Sequence, residues 1–161
     1  MFFPVFDGMG WALFGAALAA GLAGAGSAIG VGIAGNAGNG VLSEKPDLFG
    51  KVLVLQALPG TQGIYGFLVA VLMLVKLQWI TGNPISLTVE QGLLYFAAAM
   101  PIAIGGLISG IYQGKVAASS ILMTGKRPEL STRGITMTAL VETYAILALL
   151  VSILMWTQLQ G

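Results

Sequence analysis

Gly134-Ile135-Thr136-Met137-Thr138-Ala139-Leu140-Val141-Glu142-Thr143-Tyr144-Ala145-Ile146-Leu147-Ala148-Leu149-Leu150-Val151-Ser152-Ile153-Leu154-Met155-Trp156 contains a single charged residue, Glu142. The run is long enough to cross a hydrocarbon core of about 30 Å, which takes about 20 helical residues. A carboxylate near a bilayer centre costs about 2.5–3.5 kcal/mol or more, so its presence marks a functional site by default. The rest of the chain shares the apolar character: 57% of residues are hydrophobic and 8% charged, with a mean hydropathy of +0.91. The other five acids, Asp7, Glu44, Asp47, Glu90 and Glu129, fall at the ends of apolar stretches or in the polar joints between them.

Working outward from Glu142, the sequence divides into four apolar segments, 10–40, 48–79, 87–123 and 130–159, each long enough to span a bilayer as a helix. The joints Ser43-Glu44-Lys45-Pro46-Asp47, Thr81-Gly82-Asn83-Pro84 and Gly125-Lys126-Arg127-Pro128-Glu129 carry the residues that end helices and turn chains. The expected fold is therefore an all-α integral membrane protein with four transmembrane helices. No basic region precedes the first apolar stretch, which also outruns a signal-peptide core, so it reads as a membrane helix rather than a cleaved leader. Lys45, Lys51, Lys126, Arg127 and Arg133 flank the first and third joints, and only Lys76 lies near the second. The positive-inside tendency then puts the first and third joints in the cytoplasm and both termini outside, in a multi-pass protein of the cell membrane.

Composition excludes several classes. A net charge of +1 without a basic stripe argues against nucleic-acid binding. With no cysteine and no histidine, thiol chemistry, disulfides, most zinc sites and histidine proton relays are out. Gly30, Gly32 and Gly35 have the spacing of a dinucleotide-binding turn but lie inside an apolar helix with no preceding strand. No phosphate loop with its Lys and Ser or Thr occurs, so the chain does not hydrolyse ATP by that route.

The chain also repeats. A shift of 82 positions lays Ser27 on Ser109, Gly32 on Gly114, Lys45-Pro46-Asp47-Leu48 on Arg127-Pro128-Glu129-Leu130, Leu58 on Leu140, Thr61 on Thr143 and Leu68-Val69 on Leu150-Val151. Two tandem helical hairpins, 1–82 and 83–161, follow, duplicated in parallel because both begin and end on one side of the membrane. Glu142 falls opposite Gly60, so only the second hairpin carries the acid.

Thr61 and Gln62 lie about 14 residues from the first joint, Glu142 about 13 from the third, and Gln113 about 11 from the third on the preceding helix, which at 1.5 Å per residue is one layer. Polar side chains buried in lipid need partners, so the layer is either a hydrogen-bonded lock or an ion site. One hydroxyl, two amide carbonyls and one carboxylate suit a small, hard monovalent cation. Pro59 deprives the Leu55 carbonyl of its helical donor and, with Gly60, loosens the backbone enough to expose a carbonyl such as that of Leu58. Tyr65, on the same face as Thr61 and Gln62, is placed to donate to the carboxylate. Lys115 lies about 200° around the helix from Gln113 and so faces away from Glu142, toward the headgroups.

The stretches Leu58-Pro59-Gly60-Thr61-Gln62-Gly63-Ile64-Tyr65-Gly66, Ser109-Gly110-Ile111-Tyr112-Gln113-Gly114-Lys115 and Val141-Glu142-Thr143-Tyr144-Ala145 resemble the duplicated membrane-rotor proteolipid of V-type ATPases, sodium-pumping bacterial members above all. The resemblance covers nearly the whole chain. It implies an ion held by Thr61, Gln62, Gln113, Glu142 and the Leu58 main-chain carbonyl, with Tyr65 supporting the glutamate. It also implies a homo-oligomeric ring in the lipid bilayer that turns against a stator subunit bearing a cationic residue. A central stalk would couple the ring to a soluble ATPase sector, and the chain itself would be no enzyme. The cofactor expected is a sodium ion; the alternative is a proton-carrying rotor in which protonated Glu142 donates to a carbonyl. A channel or a hairpin-based membrane organiser is the reading outside the motor class. The first segment fits a crowded ring wall or ordinary hairpin packing, since Gly24, Ala28 and Gly32 form one row of small residues, and Gly26, Gly30, Ala34 and Gly38 another.

Overall fold

The computed structural model describes residues 7–159. The outermost residues of the two expected hairpins, 1–6 and 160–161, lie outside the described residues. The fold is all-helical: α1 (Gly8–Glu44), α2 (Phe49–Ala57), α3 (Thr61–Lys76), α4 (Val89–Lys126) and α5 (Ser131–Gln158). Four spans are long and apolar enough to cross a membrane, α2 and α3 together forming the second, from Pro46 to Lys76.

Local chemistry sets the boundaries. Asp7 begins α1 by accepting a bond from the Gly10 amide at 2.6 Å. Thr88 begins α4 with a full capping box: its hydroxyl accepts from Gln91 N, and the Gln91 side chain accepts from Thr88 N at 2.9 Å. The second span ends at Lys76, short of the expected residue 79. Gln78 and Gly82 there take positive φ angles of 53° and 77°, which turn the chain instead of extending the helix. The first and third joints are the same turn built twice, 3₁₀ helices at Pro46–Leu48 and Pro128–Leu130 with proline in the first turn.

The two hairpins pack side by side with α1 and α4 parallel. Their shared seam is backbone against backbone: a Cβ added to Gly26 would lie 2.6 Å from Leu107 Cα, and one on Gly110 would lie 2.7 Å from the Gly26 carbonyl carbon. At Gly30 and Gly114 an added Cβ would overlap the facing helix in the same way. Without a hydrophobic drive between helices in lipid, such close approach is what holds them. Of the two small-residue rows, the one containing Gly26, Gly30, Ala34 and Gly38 is buried. Gly24 and Gly32 have nothing within 4 Å of an added Cβ.

α3 and α5 stand outside this pair. Ile64, Phe67 and Val75 on α3, and Leu140, Leu147 and Leu154 on α5, are exposed apolar residues suited to acyl chains. Lys45 Nζ donates to the Gly125 carbonyl at 2.5 Å, tying the first joint to the third. Lys76 Nζ donates to the carbonyls of Trp156 at 3.0 Å and Leu159 at 2.5 Å, so a cation sits on the C-terminal end of α5. Both described chain ends therefore lie at the end of the second joint.

Candidate ion-binding site

The helical break in the second span creates the site. Pro59 has no N–H, so α2 stops at Ala57, and Leu58–Gly60 form a 3₁₀ turn before α3 resumes. The Leu58 carbonyl accepts from Thr61 N and, at 3.1 Å, from Thr61 Oγ1. Ser27 of α1 secures the restart, its hydroxyl accepting from Gly63 N at 2.7 Å. The turn thus presents the Leu58 carbonyl, the Thr61 hydroxyl and the Gln62 amide together, with Gln62 Oε1 3.5 Å from Thr61 Oγ1.

Across from it, α4 and α5 contribute Gln113 and Glu142. Gln62 and Gln113 are both fully buried. Gln62 Nε2 donates to Gln113 Oε1 and, at 3.2 Å, to Ser109 Oγ. Gln113 Nε2 donates to the Thr138 carbonyl at 3.2 Å and stands 3.5 Å from Glu142 Oε2. Tyr65 Oη donates to Glu142 Oε1 at 2.5 Å. Glu142 is half-buried, so it is not sealed inside the protomer.

All six residues singled out in the sequence meet in this cluster, and hydrogen bonds link α3, α4 and α5 at one level. Lys115 is exposed, with Nζ 4.7 Å from the centre of the Tyr112 ring, and does not reach the carboxylate. Besides Ser27, two further supports escaped the sequence reading. Ser109 accepts from Gln62 and donates to the Val141 carbonyl at 3.0 Å; its alignment with Ser27 under the 82-residue shift was the available signal. Thr138 contributes a main-chain carbonyl, which no side-chain pattern announces.

Chemically, the cluster offers oxygens of four kinds, carboxylate, amide, hydroxyl and main-chain carbonyl, around one negative charge. Hard cations take such ligands. The family model for the ATP synthase C subunit matches residues 14–73 and again 96–155, with the same offset as the internal repeat. The chain belongs to the ATP synthase C-subunit family. It is 47% identical over 148 residues to the V-type sodium ATPase subunit K of Enterococcus hirae, covering 92% of this chain and 91% of that one. It is 44% identical over 144 residues to the A-type ATP synthase subunit K of Methanocaldococcus jannaschii, across 89% of this chain and 62% of the relative. The 16 kDa proteolipid of the V-type proton ATPase of Nephrops norvegicus is 27% identical over 114 residues, across 71% of this chain and 69% of that protein. As a member of this family with four apolar spans, the chain is a multi-pass membrane protein.

Proposed function

We propose that this chain is the ion-carrying rotor subunit of a sodium-translocating V-type ATPase, a non-catalytic protein that works as a ring of identical copies. The single observation that carries the reading is the convergence of Gln62, Gln113 and Tyr65 on Glu142 at one depth, in a chain of this family. The division of labour is between the hairpins 1–82 and 83–161, the second supplying the ion-binding glutamate. One sodium ion per protomer is the cargo, bound by Glu142, Thr61, Gln62, Gln113 and the Leu58 carbonyl while Tyr65 holds the carboxylate. Sodium is favoured over a proton by the number of uncharged oxygens around Glu142 and by the sodium ATPase named among the relatives.

The cycle follows from electrostatics. With sodium bound, the site is neutral and tolerates lipid as the ring turns. Release leaves Glu142 charged, which is stable only beside a cationic or hydrated partner. That partner is a cationic residue of the stator. Against 100 mV, moving one charge takes about 2.3 kcal/mol, which ATP hydrolysis in the soluble sector supplies through a central stalk. The first and third joints, with their lysines and arginines, face the cytoplasm of a cell-membrane protein, and both termini face out.

Carbodiimide labelling of Glu142 in membranes tests this reading, because the reagent attacks the protonated carboxyl. The expected result is that sodium blocks labelling and blocks it less effectively as pH falls, since metal and proton compete for one carboxylate. Labelling that follows pH and ignores sodium would assign the ring to protons.

A further inference from the structure

The internal repeat does more than duplicate a hairpin: it defines an operator. Position i of the first hairpin corresponds to i + 82 of the second, and the same step carries the second hairpin onto the first hairpin of a neighbouring copy. Every contact from the first hairpin to the second inside the chain therefore has an image between chains, provided the hairpins are evenly spaced in a ring. This inference rests on the ring reading given above.

Inside the chain, Gly26 faces Leu107, Gly106 and Gly110, and Gly30 faces Gly110 and Gly114. Their images pair Ile108 with Ala25, Gly24 and Ala28, and Tyr112 with Ala28 and Gly32. The properties of these residues in the single protomer fit that pairing. Ile108 and Tyr112 project from α4 and are 51% and 56% exposed. On α1 an added Cβ meets nothing at Gly24 and Gly32, as at Gly21 and Gly40, and Ala28, between Gly24 and Gly32, is exposed. Large side chains stand on one edge of the molecule and an open row of small residues on the other. Glycine meets glycine within the chain, and protrusion meets groove between chains.

The charged residues obey the same operator. Lys45 and Lys51 donate within the chain to the carbonyls of Gly125, at 2.5 Å, and Pro128, at 3.0 Å. Their images, Arg127 and Arg133, are also basic and both exposed. Arg127 makes only a 3.5 Å pair with Glu129, with both side chains about two-thirds exposed, a contact easily exchanged. The images of the two acceptors are the carbonyls of Ser43 and Pro46, at the C-terminal end of α1 and in the turn after it.

We infer that a second copy of this chain docks by seating Ile108 and Tyr112 of one protomer in the Gly24–Ala28–Gly32 groove of the next, with Arg127 and Arg133 capping the Ser43 and Pro46 carbonyls across the same seam. The seam leaves the two ion-site glutamines untouched, since both are satisfied within one chain.

The chain has no cysteine, so disulfide trapping is free of background. Two double variants, Ala28→Cys with Tyr112→Cys and Ser43→Cys with Met123→Cys, are expressed in membranes and oxidised. The second pair is the image of the Val41–Gly125 contact and lies near the loops, where it serves even if the mid-membrane pair impairs insertion. Both doubles are expected to give a ladder of chain multiples on denaturing gels, and each single cysteine only monomer. Native mass spectrometry of the unoxidised protein separates the two ways of failing. An intact ring whose doubles give no ladder overturns the seam and leaves the ring standing. A protein that is monomeric, or held only by lipid or a different protein on this face, overturns the ring reading and the seam together.

Discussion

At the level of the site the first hairpin has Pro59-Gly60-Thr61-Gln62 where the second has Val141-Glu142-Thr143-Tyr144. The second hairpin's outer helix passes this level unbroken from Ser131 to Gln158, whereas its counterpart is interrupted at Leu58–Gly60. On the inner helices, Gln113 stands where the first hairpin has Val31. One half of the repeat thus offers an opened backbone and neutral oxygens, and the other the charge and its inner-helix amide. In the proposed site neither hairpin suffices alone. The two halves of the repeat differ here, with one carboxylate at this level for every two hairpins.

The comparison breaks most decisively if the charge can be moved. Glu142→Gln is expected to abolish sodium transport by the reconstituted ATPase, since the remaining ligands carry no charge to balance the ion. Exchanging the two positions, Gly60→Glu with Glu142→Gly, is expected to leave transport undetectable. A side chain at Gly60 starts 3.7 Å from the Val31 methyl group, whereas Glu142 has Tyr65 and Gln113 around it. Sodium uptake into vesicles is the readout. Transport by the exchanged chain would show that the halves are interchangeable.

A smaller effect is expected where the inner helices differ. Gln113→Val makes the second hairpin match the first at this position and deprives Gln62 Nε2 of one of its two acceptors. Loss of a ligand together with a buried polar group left short of a partner costs about 1–3 kcal/mol. At 1.4 kcal/mol per tenfold, that is about a ten- to hundredfold weaker hold on sodium. The sodium concentration that half-protects Glu142 from carbodiimide measures it. Unchanged protection would make Gln113 a packing residue.

Most of the fold was legible because membrane spans are written in composition and joints in Pro, Gly and Asn. The 82-residue shift gave the pairing of the hairpins. Segment ends were less legible: the capping box at Thr88 and the left-handed Gln78 depend on a few local bonds that hydropathy does not register. The site residues stood out because polar groups are rare at that depth. What could not be read was how they divide their hydrogen bonds. Ser109 bridges Gln62 and Val141, and Ser27 receives Gly63, although the two serines are equivalent in the repeat. Which partner each serine takes follows from the break at Pro59, present in one half only.

The finest way to sharpen the comparison is to heal that break. Proline costs about 3 kcal/mol relative to alanine in a helix interior, so Pro59→Ala favours one continuous helix from residue 49 to 76, like α5. The Leu58 carbonyl would then turn from the Thr61 amide toward Gln62 N, and the Gly63 amide from Ser27 Oγ toward the carbonyl of residue 59. Thermal stability of the assembled protein is expected to rise. Sodium protection is expected to weaken by about two- to tenfold, the worth of about one hydrogen bond, because a single main-chain ligand is re-aimed while Glu142, Gln62 and Gln113 stay in place. If stability rises and sodium protection does not change, the Leu58 carbonyl is no ligand. The break would then serve packing, because a Cβ added at Gly30 already comes within 2.9 Å of the Pro59 ring. The difference between the two outer helices would in that case belong to the seam rather than to the ion.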